Sequence, residues 1–135
     1  MLVVGGGPAG SSCALELRRH GLDVTVLDRS QFPRDKVCAG WITPQIIASL
    51  QLDLADYAAG RVLQPLHGFS SGLVGGRSVA VRYGKAISYG IRRCEFDDYL
   101  LRRSGARLRL GESLESAEFS GGEWLVNGAI RARFL

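Results

Sequence analysis

The spacing of apolar residues changes from segment to segment, and each change predicts an element. Leu2-Val3-Val4 is a short apolar run ending at Gly5-Gly6-Gly7, which predicts a strand running into a glycine turn. From Pro8 to His20 the apolar positions Ala9, Cys13, Ala14 and Leu17 recur at helical spacing, with Glu16, Arg18 and Arg19 opposite and Gly21 as the stop. The run Leu22 to Leu27 is too apolar for a strand with one wet face. It reads as a buried parallel strand beside Met1 to Val4, so the three pieces make a right-handed βαβ unit.

Beyond Asp28 the stretch Arg29 to Gly40 is polar and turn-rich, and Thr43-Pro44 then reads as N-cap and first residue of a helix through Leu50. Asp53 to Ala59 reads as a further short helix. Val62 to Phe69, Arg77 to Tyr83 and Ala86 to Ile91 are β-type runs broken by glycines, an antiparallel excursion within residues 61–92. Glu95 to Arg103 carries Phe96 and Leu100 at helical spacing and stops at Gly105. Arg107 to Leu110 alternates and is expected to continue the main sheet. Leu114 to Phe119 and Glu123 to Val126 are expected to form a hairpin over Ser120-Gly121-Gly122, with Ile130 to Leu135 as a third strand.

The opening turn has a steric logic. Gly5 permits the tight turn, Gly7 lets backbone approach a diphosphate, and Gly10 lets the helix pack closely on the strand. Pro8 suits the first helical turn, and Ser11 and Ser12 are expected to leave backbone donors pointing at an anion at the positive end of the helix. Asp28 closes the second strand about 20 residues past the glycines, where a dinucleotide-binding unit needs a carboxylate for the ribose hydroxyls. An acid there repels a 2′-phosphate, so the adenosine end is that of FAD or NAD rather than NADP. The predicted fold class is therefore α/β: a Rossmann-like βαβ unit with a parallel sheet, plus an antiparallel excursion and a β-meander.

Composition narrows the field. The 135 residues, 46% apolar with 18 glycines, suit one modest turn-rich domain. Seventeen basic against thirteen acidic residues give +4, a solvated surface. Basic residues are not interleaved with aromatics, so nucleic-acid binding is unsupported. Cys13, Cys38 and Cys94 lack metal-ligand spacing and point to reduced thiols in a cytoplasmic setting with no metal. No apolar run is long enough to span a bilayer. His20, His67, Trp41 and Trp124 read as structural or surface residues, and Lys36 as a solvated loop lysine. Met1 stands directly in the first strand and Leu135 ends an apolar one, which reads as a fragment with a trimmed or misassigned start.

Three segments together resemble the FAD-dependent oxidoreductases of the geranylgeranyl reductase type, relatives of the aromatic-ring hydroxylases with the glutathione-reductase-like FAD fold. They are Gly5 to Asp28, Phe32-Pro33-Arg34-Asp35-Lys36-Val37-Cys38-Ala39-Gly40, and Tyr89 to Asp97. The resemblance implies that residues 1–135 are the N-terminal part of an FAD-binding domain, about a third of such an enzyme. Ala39 stands where the family often has another glycine, and the later Gly-Asp segment has no counterpart.

It further implies FAD held by Gly5, Gly7, Pro8, Ala9, Gly10, Asp28 and Arg29, with Cys38, Ala39 and Gly40 against the flavin side. Arg93 would reach the phosphate or ribityl part from a helix start, and Leu114 would offer backbone contacts to the adenine from the hairpin strand. Cys38 reads equally as a small buried residue. Arg92 competes with Arg93, since strand alternation lets one of the two face the cofactor.

The implied activity is hydride transfer from reduced flavin to a carbon–carbon double bond of an isoprenoid or similar apolar substrate, at a membrane surface or away from one. The electron donor is open between NAD(P)H and a ferredoxin, and no general acid or base is assigned. A flavin monooxygenase and a truncated nucleotide-binding module without activity are the competing readings. The sequence leaves the oligomeric state open.

Overall fold

The computed structural model describes residues 1–135 and divides them into two compact units, Met1–Lys36 with Phe96–Leu135, and Val37–Glu95. In the first unit, β1 (Leu2–Val4), β2 (Thr25–Asp28) and β8 (Arg107–Leu110) form a parallel sheet in the order β1-β2-β8. Val3 stands opposite Val26, and Val26 opposite Leu108. Helix α1 (Pro8–Arg19) makes the crossover between β1 and β2.

Alternation along β2 explains its sequence. Val26 faces a core of Ala14, Val24, Phe32 and Leu101, to which α1 and α4 (Arg93–Arg103) contribute. Leu27 faces the opposite side, against Leu2, Val126 and Ala132. Both valine and leucine are fully buried, each worth about 1.5–3 kcal/mol. A strand with two dry faces needs the near-continuous apolar run that the sequence shows. The strand is shorter than its run, however: it starts at Thr25, and Leu22 stays exposed.

The second face is covered by a meander of β9 (Ala117–Ser120), β10 (Glu123–Val126) and β11 (Ile130–Ala132), in the order β11-β10-β9. Gly121 and Gly122 join β9 to β10 with φ of +61° and +84°, the pair of positive values that a two-residue hairpin turn requires. The first of these strands begins at Ala117 and not at Leu114. The Asn127 side chain accepts from the N–H groups of Glu115 and Ser116 at 2.8 and 3.2 Å and donates to the Ser113 carbonyl at 2.8 Å, drawing that backbone into a loop. The third strand likewise stops at Ala132, and the Phe134 carbonyl accepts from Leu2 N–H at 3.0 Å.

Helix α1 buries only part of the predicted stripe, with Ala14 in the core and Leu17 packed against it. Ser11 and Ala14 are its buried residues, while Ala9 and Cys13 are exposed. The Ser11 hydroxyl is satisfied there, donating to the Gly6 carbonyl at 2.9 Å, so a polar residue occupies the inner face without penalty.

The second unit holds β3 (Trp41–Ile42), α2 (Pro44–Ser49), α3 (Leu54–Ala58), β4 (Leu63–Leu66), β5 (Gly68–Gly72), β6 (Ser78–Arg82) and β7 (Ser88–Ile91). Its antiparallel strands form a β3-β7-β4 sheet and a β5-β6 hairpin. The predicted run Val62 to Phe69 is therefore split at His67, since β4 pairs with β7 and β5 with β6. Trp41 packs edge-on against Phe69, ring centroids 5.8 Å apart. Asp53 caps α3 by accepting from Ala55 and Asp56 N–H at 2.8 and 3.1 Å. Thr43 is the N-cap of α2 by position alone, without a side-chain hydrogen bond.

Candidate functional site

After Val4 the chain turns through Gly5, whose φ of +106° lies in the region that favours glycine. Its N–H donates to the Leu27 carbonyl at 2.7 Å. The next N–H, of Gly6, donates to Asp28 Oδ2 at 2.6 Å. Ser30 N–H donates to the other carboxylate oxygen at 2.8 Å. The acid that closes β2 is thus aimed by the glycine turn and by its own loop, and its oxygens keep lone pairs for further donors.

Gly7 and Gly10 are glycines for different reasons. A Cβ at Gly10 would lie 1.8 Å from the Gly5 carbonyl oxygen, so only glycine lets α1 approach the turn this closely. A Cβ at Gly7 would meet Arg34 Nη2 at 3.5 Å, an ordinary contact. The fold itself tolerates a side chain at Gly7, and its absence leaves room at the end of the helix.

That end is uncapped. Gly7 is the N-cap, Pro8 stands in the first turn, and no acidic residue accompanies them. The first N–H groups of a helix have no carbonyl within it, and Ser11 is the first here to find one, donating to the Gly7 carbonyl at 2.9 Å. The open donors are accordingly those of Ala9 and Gly10, with the positive end of the helix dipole behind them. This corrects the expectation for Ser11 and Ser12. Both lie inside the helical ladder, and the Ser12 hydroxyl turns back to the Pro8 carbonyl at 2.6 Å.

Arg34 joins this site although the sequence, which places it in the Phe32 to Gly40 segment, assigns it no role. Its Nη2 lies 3.4 Å from Asp97 Oδ2, a carboxylate with no solvent exposure. Its guanidinium carbon stands 4.9 Å from the centre of the Phe32 ring. That ring in turn lies against the turn, 3.2 Å from where a Cβ of Gly6 would be. Phe32-Pro33-Arg34 therefore wraps the glycine turn, with the aromatic ring beside Gly6 and the cation beside Gly7. Of the remaining predicted residues in this unit, Arg29 is exposed directly after Asp28, and Leu114 is exposed in the loop before β9.

In the second unit Cys38 and Ala39 are exposed, so Cys38 is not the buried residue of one sequence reading. Gly40 has a φ of +68°, and a Cβ on it would lie 2.7 Å from the Ile91 carbonyl oxygen. This close approach to β7 is a reason for glycine independent of any ring stacked on it. A hydrogen bond from the Gly40 backbone, and then one from the Arg93 side chain, hold the Cys38 thiol below the usual cysteine range. Arg93 opens α4, whereas its neighbour Arg92 is mostly exposed and pairs with Glu95 at 3.1 Å. Of the two arginines, Arg93 is the one at Cys38.

The arrangement in the first unit can bind an anion and a vicinal diol: open amides at a helix start, a flanking cation, and an oriented carboxylate. Residues 1–95 match the family described as FAD dependent oxidoreductase. The chain is 38% identical over 120 residues to a menaquinone reductase of Mycolicibacterium smegmatis, covering 82% of this chain and 28% of that protein. It is 33% identical over 107 residues to a geranylgeranyl diphosphate reductase of Rhodobacter capsulatus, covering 76% of this chain and 25% of the relative. It is also 33% identical over 132 residues to a tryptophan 2-halogenase of Chondromyces crocatus, covering 90% of this chain and 24% of the relative. Among solved structures, a geranylgeranyl bacteriochlorophyll reductase-like protein from Thermoplasma acidophilum superposes with a TM-score of 0.74 at 20% identity, over 91% of this chain and 32% of that one. The chain thus spans less than a third of the length of each of these proteins. With the glycine turn and Asp28 inside the matched residues, the chain belongs to the FAD dependent oxidoreductase family.

Proposed function

We propose that this chain is the FAD-binding portion of a reductase that acts on carbon–carbon double bonds of isoprenoid-type apolar substrates. The observation that carries the binding half of this reading is the uncapped start of α1 beside Asp28. A helix that leaves Ala9 and Gly10 N–H open, next to space that a Cβ at Gly7 would fill, is shaped for a diphosphate. In this reading Gly5 sets the turn, Pro8 sets the first helical φ, and Ala9 and Gly10 donate to the diphosphate oxygens. Asp28 accepts from the adenosine ribose hydroxyls and repels a 2′-phosphate. Arg29 and the Leu114 backbone belong to the adenosine end, and Cys38, Ala39, Gly40 and Arg93 to the flavin side. Bound FAD supplies the hydride-transfer chemistry, and the chain's own residues bind and orient it.

The substrate half rests on the relatives' names, a menaquinone reductase and a geranylgeranyl diphosphate reductase. No helix of this chain is long and apolar enough to cross a membrane. The exposed thiols of Cys13 and Cys38 accord with a reducing, cytoplasm-like compartment. NAD(P)H and a ferredoxin are both suitable donors. An FAD-dependent monooxygenase is the second reading, kept open because the relatives include a tryptophan 2-halogenase besides the reductases.

Titration of the chain with FAD, followed by quenching of flavin fluorescence, tests the binding half, and saturable quenching is expected. Anaerobic turnover then separates the chemistries. Oxidation of reduced flavin by an isoprenoid substrate without oxygen supports the reductase. Product formation that requires stoichiometric oxygen discards it.

A further inference from the structure

The Arg34 guanidinium stands beside the open start of α1, and two contacts fix it there. Asp97 stands 3.4 Å from Nη2 and the Phe32 ring lies under the guanidinium. Neither contact exhausts the side chain. The ion pair is longer than the roughly 2.7–2.9 Å of a full N⁺–H···O⁻ bond, and a ring face takes up no N–H direction. A guanidinium also sits poorly against the positive end of a helix dipole unless an anion lies between them. With four-fifths of its side chain buried, it cannot simply turn its charge to water.

We propose that Arg34 is a specificity-determining residue of this site: its guanidinium, held beside Gly7 by Asp97 and Phe32, completes the anion cradle begun by Ala9 and Gly10. The site would then select a nucleotide with a charged diphosphate over an uncharged nucleoside. Asp97 is a positioning residue that acts through Arg34. This rests on the FAD reading above, because it concerns the same diphosphate.

Calorimetric titration of the chain with ADP and with adenosine, each at low and high salt, tests it. ADP is expected to bind more tightly than adenosine, with an advantage that shrinks as salt rises. Arg34→Gln combined with Asp97→Asn removes both charges of the pair together, so no buried charge is left alone. This variant is expected to lose about tenfold or more in ADP affinity and most of the salt dependence, with adenosine unchanged. Arg34→Lys keeps the charge without the fork and is expected to retain the salt dependence at reduced ADP affinity. Should the neutral-pair variant, or Arg34→Lys where that pair fails to fold, bind ADP as the natural chain does with the same salt dependence, the assignment of Arg34 is wrong. Asp28→Ala, which is expected to weaken both ligands, would then still stand for the dinucleotide site. A natural chain that binds neither ligand overturns both.

Discussion

Two helix starts in this chain solve the same problem in opposite ways. At α3, Asp53 accepts from two backbone N–H groups and Asp56 adds a negative charge to the first turn. At α1, a glycine stands at the N-cap, no acid follows in the first turn, and the side chain nearest a Cβ at that glycine is the cation of Arg34. A side-chain cap is worth about 0.5–2 kcal/mol to a helix. The longer helix, which carries the central crossover, forgoes that stabilisation while a five-residue surface helix takes it. The difference is what the proposed ligand role of the α1 start requires, and stability there comes from packing instead, through Ala14 and Leu17 in the core.

The comparison can be broken hardest at Gly10. Gly10→Ala would push a methyl group into the Gly5 carbonyl and is expected to cost about 3 kcal/mol or more, read as a fall in the denaturation midpoint together with loss of FAD binding. Gly7→Asp separates stability from function. The backbone at Gly7 is already extended, and an aspartate there would cap α1 and face Arg34. It is expected to raise stability by about 0.5 kcal/mol while abolishing FAD binding, since its carboxylate takes the diphosphate's place. Asp28→Ala is expected to weaken FAD by about 1.5–3 kcal/mol in a fluorescence titration. At the other helix start, Asp53→Ala is expected to cost about 0.5–2 kcal/mol of stability and leave FAD affinity unchanged. Equal effects of the two aspartates on FAD would erase the distinction between the two helix starts.

Much of the first unit was legible in the sequence because its signals are local. A strand buried on both faces writes a continuous apolar run, as Val24 to Leu27 does, and a two-residue glycine turn announces the β9-β10 hairpin. The glycine turn, Pro8 and Asp28 follow from backbone sterics and fixed spacing. What escaped depends on tertiary proximity. Arg34 gains its meaning from Gly7 and Asp97, which are distant in sequence, and β3 is two residues long and exists by pairing with β7. The inner stripe of α1 was legible at Ala14 and Leu17 but not at Ser11, which is buried through its bond to Gly6, something no apolar period reveals. Leu114 was placed on a strand because nothing nearby shows that Asn127 holds its loop.

The central claim is that the uncapped start of α1, with Asp28, receives the diphosphate and ribose of an adenine dinucleotide. Backbone amide shifts recorded while the chain is titrated with ADP test it directly. The largest saturable shifts are expected at Gly7, Ala9, Gly10 and the Asp28 loop, with Ala55 and Asp56 at the capped start of α3 unmoved. Shifts that spare Ala9 and Gly10, or that gather around α3, would contradict the account.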